Sequence, residues 1–94
     1  MAQCTIVEFE WGDTGARARF EAAVAAASDG TVTPEGRLAR IVGIDERGAR
    51  VVEVWATAAD AQRFAEATAP ALADVGMPAP SRVESFEVTH YDVA

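Results

Sequence analysis

The chain has 94 residues, 50% of them hydrophobic and 24% charged, with a formal charge of −7 at pH 7. A chain of that size makes one domain, residues 1–94, and so high an apolar content excludes a disordered tail. All 8 basic residues are arginines, scattered from Arg17 to Arg82 without a cluster, so neither nucleic acid nor a membrane surface is an expected partner.

No apolar run reaches the roughly 20 residues of a membrane-spanning helix. Met1 to Thr5 carry no basic segment ahead of an apolar one, so the expectation is a cytoplasmic protein without a signal peptide. Cys4 is the single cysteine, which leaves stability to packing rather than to an intramolecular disulfide.

From Cys4 to Trp11 the chain reads CTIVEFEW and alternates as a strand does. Thr5, Val7, Phe9 and Trp11 share one face; Cys4, Ile6, Glu8 and Glu10 share the other. Gly12 to Gly15 breaks the strand, and Asp13 or Thr14 can cap the alanine-rich helix that follows. Its apolar stripe is Ala16, Phe20, Ala23, Val24 and Ala27, and Gly30 is expected to stop it. DGTVTPEG then reads as a loop.

Arg37 to Asp45 alternates again, with Leu38, Arg40, Val42 and Ile44 against Arg37, Ala39, Ile41 and Gly43. A glycine-containing turn, Glu46 to Ala49, joins it to a strand from Arg50 to Ala56, making a hairpin. Thr57-Ala58-Ala59-Asp60 has the form of a capping box with Asp in place of Glu. The helix after it sets Ala61, Phe64, Ala65, Thr68, Leu72 and Val75 on one stripe. Pro70 predicts a kink or restart, Gly76 the end, and Pro78 and Pro80 the exit. A last strand is expected from Arg82 to Tyr91, with Tyr91 and His90 on opposite faces.

This order, βαββαβ, predicts an α+β, ferredoxin-like domain: a four-stranded antiparallel sheet with both helices on one face. The opposite face is left with valines, charges and a tryptophan. Packing two such faces together removes them from water.

The segment Val51-Val52-Glu53-Val54-Trp55-Ala56-Thr57, followed by Phe64, Pro70-Ala71-Leu72 and Gly76, resembles the dimeric α+β barrel proteins related to antibiotic biosynthesis monooxygenases. The small members common in actinobacteria are the type it looks like. The likeness in element order runs end to end and is densest between about Gly48 and Pro80. It implies a homodimeric barrel with a small-molecule cleft between sheet and helices. It also implies a range of activities: cofactor-free oxygenases of polyketide aromatics, haem-degrading enzymes, isomerases, and proteins without catalysis. Trp55 matches the tryptophan that lines the oxygenases' cleft. Their asparagine four positions before it is Val51 here, and their helix tyrosine six positions after it is Ala61. The axial histidine of the haem-degrading members is replaced by Ala65.

The candidate site is built from that strand. Trp55 offers a stacking surface for a planar ligand, or else fills the dimer core; Val51 shares its strand face as a binding contact. Glu53 on the same face is a candidate base if buried, or else the partner of an arginine such as Arg40. His90, the one histidine, is a candidate acid or base near the end of the last strand. Tyr91 is a candidate hydrogen-bond donor to a ligand. No metal-ligand spacing, phosphate loop or lysine is present, so no cofactor and no metal are expected. The functional expectation is a homodimer binding an apolar or aromatic small molecule, in the manner of a cofactor-independent monooxygenase. The alternatives are a non-catalytic binding or structural dimer, and an isomerase or cyclase using Glu53 or His90.

Overall fold

A computed structural model describes residues 1–27, 34–77 and 79–92. The expected helix stop at Gly30, most of the loop after it, and Pro78 lie outside the described residues. The elements are β1 (Gln3–Glu10), α1 (Ala16–Ala27), β2 (Arg37–Ile44), β3 (Gly48–Trp55), α2 (Ala58–Asp74) and β4 (Arg82–Glu87). All neighbouring strands are antiparallel and the sheet order is β2-β3-β1-β4, the ferredoxin-like arrangement expected from βαββαβ.

Both helices cover one face of the sheet. Phe20 of α1 meets Phe9 with ring centroids 5.6 Å apart and Trp11 at 5.7 Å, while Ala16 and Ala23 on the same stripe are buried. The small alanines let the helix approach the sheet, and the aromatic rings fill the space between. Trp11 closes this end of the core, its indole N–H donating to the Asp45 carbonyl at 3.0 Å. The β2–β3 hairpin turns on Asp45, whose carboxylate accepts from the backbone N–H of Arg47 and of Gly48. Those bonds hold its pKa below the usual carboxylate value. Gly48 is needed there because a side chain would run into the Phe9 carbonyl.

Thr57 caps α2 as expected, its hydroxyl oxygen accepting from the Asp60 N–H at 3.1 Å. The return contact differs from a capping box, since the Asp60 carboxylate takes the Thr57 hydroxyl proton, at 2.9 Å, instead of the Thr57 backbone N–H. The shorter Asp side chain accounts for the substitution. At the other end Gly76 has φ of +73°, with Met77 N–H on Leu72 O and Gly76 N–H on Ala73 O. That pair of bonds is a Schellman close, which favours glycine. Of the kink or restart expected at Pro70, the restart does not occur, since α2 is continuous through it. Pro70 and Glu66 are both exposed, so water can take the hydrogen bond the proline cannot donate.

Two further expectations are corrected. β4 ends at Glu87 rather than Tyr91, because its partner β1 begins at Gln3, which pairs with Glu87. After a last bond from Val88 N–H to Ala2 O, the chain leaves the edge, and the Tyr91 hydroxyl donates to Leu38 O of β2 at 3.3 Å. The segment thereby reaches the far edge of the sheet.

The second correction concerns Trp55. It sits on the helix-covered face and is 1% exposed, so it is not the tryptophan of an open face. The uncovered face instead carries Cys4, Ile6, Ala39, Ile41, Val52, Val54 and Phe86, with Glu8 ion-paired to Arg50 and Arg82 to Glu84.

Candidate functional site

Paired residues in an antiparallel sheet share a face, so the register gives the floor beneath the helices row by row. One row is entirely valine: Val42, Val51, Val7 and Val83, from β2 to β4. The next is entirely polar: Arg40, Glu53, Thr5 and Ser85. The third runs Arg37, Trp55, Gln3 and Glu87. Between this floor and the helices lies a cavity of about 480 Å³. α1 contributes Phe20, Ala23 and Val24, and α2 contributes Phe64, Ala65, Thr68 and Leu72. The walls are apolar, and most of the polarity lies in the floor.

Trp55 packs against Phe64 with centroids 5.1 Å apart, tilted 41°. Arg37 lies over the other part of that cluster, its guanidinium carbon 5.8 Å from the Phe64 centroid. From there its Nη1 reaches Glu53 Oε2 at 3.4 Å, an ion pair with both side chains well shielded from water. Arg40 is opposite Glu53 in the strand pairing and lines the cavity.

Arg37 and Arg40 are an odd number of positions apart, and strict alternation sets them on opposite faces. A β-bulge overrides it. Arg37 pairs with Trp55 and Ala39 with Val54, so β2 advances two residues where β3 advances one. The extra residue, Leu38, is 50% exposed. Both arginines therefore flank one carboxylate.

Burial raises the Glu53 pKa above the ordinary glutamate value, and the charges of Arg37 and Arg40 pull against that rise without cancelling it. Burial, with repulsion from Arg37, draws Arg40 below the ordinary guanidinium value. The carboxylate is thus a held, partly desolvated acceptor rather than a solvated acid.

Of the residues singled out from sequence, Trp55, Glu53 and Val51 line the cavity together. His90 and Tyr91 do not. Both are exposed in the segment after β4, with the Thr89 hydroxyl 3.2 Å from His90 Nδ1 and Tyr91 bonded to Leu38. Arg37, Thr5 and Ser85 are additions from the structure. The register across three strand pairs reveals them, and no local motif marks it. Cys4 is buried on the other face, which pushes its thiol pKa up.

Among the described residues, no group of histidine, cysteine and carboxylate side chains is placed to hold a metal. Among the described residues, the lining includes no histidine, cysteine or tyrosine. The donor set does not fit haem.

No family model matches the sequence, and no curated protein matches it. Solved structures do. Rv0793 from Mycobacterium tuberculosis superposes with a TM-score of 0.78 at 14% identity, over 99% of this chain and 100% of that one. A candidate antibiotic biosynthesis monooxygenase from Chloroflexus aurantiacus gives 0.68 at 14% identity, covering 100% of both chains. A mutant form of SnoaB, a cofactor-independent oxygenase from Streptomyces nogalater, gives 0.62 at 13%, over 96% of this chain and 94% of that one. The fold is that of the antibiotic biosynthesis monooxygenase-like proteins. Identities this low establish the architecture and leave chemistry to the site itself.

Proposed function

We propose that the protein is a homodimer that binds a small, largely aromatic or apolar molecule in the cavity between sheet and helices. The observation that carries this reading is the cavity itself: about 480 Å³, walled on the helix side by Phe64 and Leu72, over a floor in which Trp55, Val7, Val51 and Val83 flank the polar row of Arg40, Glu53, Thr5 and Ser85. An apolar enclosure with a few convergent polar groups is the usual form of a small-molecule site. Trp55 and Phe64 present ring surface to a planar ligand, and the polar row fixes which edge of it points to the floor. Val51, next to Glu53 in the same strand face, contributes apolar contact.

The likeness to SnoaB supports a cofactor-independent oxygenase acting on an electron-rich aromatic molecule as the catalytic form of this reading. Glu53 then serves as the acceptor for an acidic proton of the substrate. Its ion pair with Arg37 favours the alternative, a binding protein in which Glu53 is structural. His90, outside the cavity, carries no role in either. Titrating the protein with 2-naphthamide, followed by isothermal calorimetry, tests the binding reading, and oxygen uptake with hydroxylated polycyclic aromatics separates the two forms. Saturable binding lost on filling the cavity with Ala65→Trp is the expected result. Binding unchanged by that substitution places the ligand elsewhere and overturns the reading.

A further inference from the structure

We infer that Thr5 and Ser85 set the ligand specificity of the cavity, holding a carbonyl oxygen of the bound molecule between their hydroxyls. This specificity rests on the proposed ligand cavity and adds to it the functional group its occupant carries. The polar row of the floor divides into two halves. Arg40 and Glu53 form the charged half, and both are engaged, Glu53 with Arg37 at 3.4 Å and Arg40 with contacts of its own. Thr5 and Ser85 form the uncharged half. They are directly opposite one another on β1 and β4, and both line the cavity. Among the described residues, neither hydroxyl makes a hydrogen bond.

The uncharged polar side chains on the helix side are spoken for. The Thr68 hydroxyl is turned back onto the Phe64 carbonyl at 3.0 Å, inside its own helix, and the Gln62 amide donates to Glu66 at 3.1 Å. Spacing then decides what the two floor hydroxyls take. Directly opposed residues of an antiparallel pair have Cβ atoms about 4.5–5.5 Å apart. One oxygen set between two such hydroxyls lies within hydrogen-bond reach of both, at about 2.7–2.8 Å from each. A carbonyl oxygen has two lone pairs and no proton, so it accepts from both at once. A ligand O–H or N–H gives its proton to only one of them. An apolar edge displaces their water and leaves both unpaired. Thr5 is half-buried on a central strand, whereas Ser85 is exposed on the edge strand, so Thr5 carries the larger share of that cost. The neighbouring Val7, Val51 and Val83, with Phe64 and Leu72 across from them, take the apolar body of the same ligand.

The test compares 2-acetonaphthone with 2-isopropenylnaphthalene, the same shape with CH2 in place of the carbonyl oxygen, by equilibrium dialysis at neutral pH. The expected result is the ketone binding tighter by about three- to tenfold, the scale of a neutral hydrogen bond net of desolvation. Thr5→Val keeps the shape of the side chain and should remove most of the preference, and Ser85→Ala should remove less. Together they should bring the two ligands within about twofold of each other, with the hydrocarbon bound no more weakly than by the parent. Thr5→Ser keeps a hydroxyl and should keep the preference, which separates hydrogen bonding from packing. Circular dichroism checks the fold of each variant, and the single variants carry the comparison if the double one does not fold. Equal affinities in the parent protein, or tighter hydrocarbon binding, overturn the inference and leave the cavity reading intact. A ketone preference undiminished by loss of the hydroxyls also overturns it, and directs the oxygen to another lining group such as the Gln3 amide. Binding of neither ligand by the folded parent overturns the cavity reading and the inference together.

Discussion

Arg37 reaches Glu53 across β2 and β3, with 3.4 Å between Nη1 and Oε2, only because Leu38 is an extra residue in β2. The pair is shielded from water on both sides, so its energetic weight lies in what happens when one partner goes. Breaking a buried pair leaves an uncompensated charge and costs about 3–5 kcal/mol, the lower end where a second cation is at hand. Arg40 is that second cation. Arg37→Ala should therefore destabilise the fold by roughly 3 kcal/mol, and Arg37→Ala combined with Glu53→Gln by markedly less. Chemical denaturation of the four proteins of this cycle checks it. Additive losses would mean that the two side chains do not interact.

The pH dependence follows from Glu53 alone once a suitable difference is taken. Its pKa is raised on folding, chiefly by burial, so folding favours the protonated form. Stability from this group is complete below the unfolded carboxylate range and is lost as pH rises through the raised folded value. Asp13 and Asp45 act the other way. Arg19 and the Gly15 N–H lower the pKa of Asp13, and backbone N–H groups lower that of Asp45, so both lose stability as pH falls. These two carboxylates are unchanged in Glu53→Gln and cancel in a comparison. The Tm of the parent minus that of Glu53→Gln should rise as pH falls from neutrality through the acidic range. A flat difference would show that Glu53 titrates as an ordinary exposed glutamate.

Trp55 separates ligand contact from packing. It is 1% exposed and packed at a tilt against Phe64, so Trp55→Ala removes core volume and should cost about 3–5 kcal/mol whatever the function. Trp55→Phe keeps a ring against Phe64 and should preserve the fold. Its smaller face should weaken 2-naphthamide by about two- to tenfold, the range of one aromatic contact. Unchanged affinity in the folded Phe variant would assign Trp55 to the core alone.

Much of this fold was legible in the sequence, and the reason is physical. Alternation in CTIVEFEW, the alanine stripe with Phe20 and Val24, and the Thr57 cap are local patterns, and each produced the element it signals. The side of Trp55 was not legible, because alternation groups residues by face without saying which face the helices take. Leu38 escapes for a different reason. A bulge is a property of two strands in register, so the RLARIVGI segment read alone keeps strict alternation and separates Arg37 from Arg40. The same holds for the polar row, whose four members come from four strands and share no motif. His90 and Tyr91 enter the candidate site only through a strand predicted too long. The pairing of β4 with β1 ends at Glu87, one backbone bond short of where the chain turns away, so the pair lies off the cavity floor.

Haem offers a cheap exclusion. The chain has one histidine, His90, and it lies outside the cavity, whose lining holds Met77 as its single sulfur donor among the described residues. Titration with haemin should give the broad spectrum of a ring in a generic apolar pocket. A sharp, stoichiometric Soret shift abolished by His90→Ala would overturn this expectation and show that the segment after β4 reaches the cavity.

The homodimer is expected from the uncovered side of the sheet. The helices cover one face, and the other presents Ile6, Ile41, Val52, Val54 and Phe86 on neighbouring strands. Ile41 is 65% exposed and Phe86 48%, values unusual for large apolar side chains and here adjacent to further apolar groups. Burial contributes about 25 cal/mol per Å², so covering a sheet-sized patch is worth many kcal/mol before the cost of association. A two-fold axis sets this face against its own copy and asks only for self-complementarity. The Glu8–Arg50 and Arg82–Glu84 pairs at its margin add polar contacts without a net charge that opposes approach. Light scattering coupled to size exclusion should give about twice 9.9 kDa at micromolar concentration. Ile41→Asp places a charge within the patch and should yield a monomer, while Val83→Asp, on the cavity side of the edge strand, should leave the dimer intact. A folded parent protein that stays monomeric under these conditions, or an Ile41→Asp variant that still dimerises, would defeat the sheet-to-sheet arrangement.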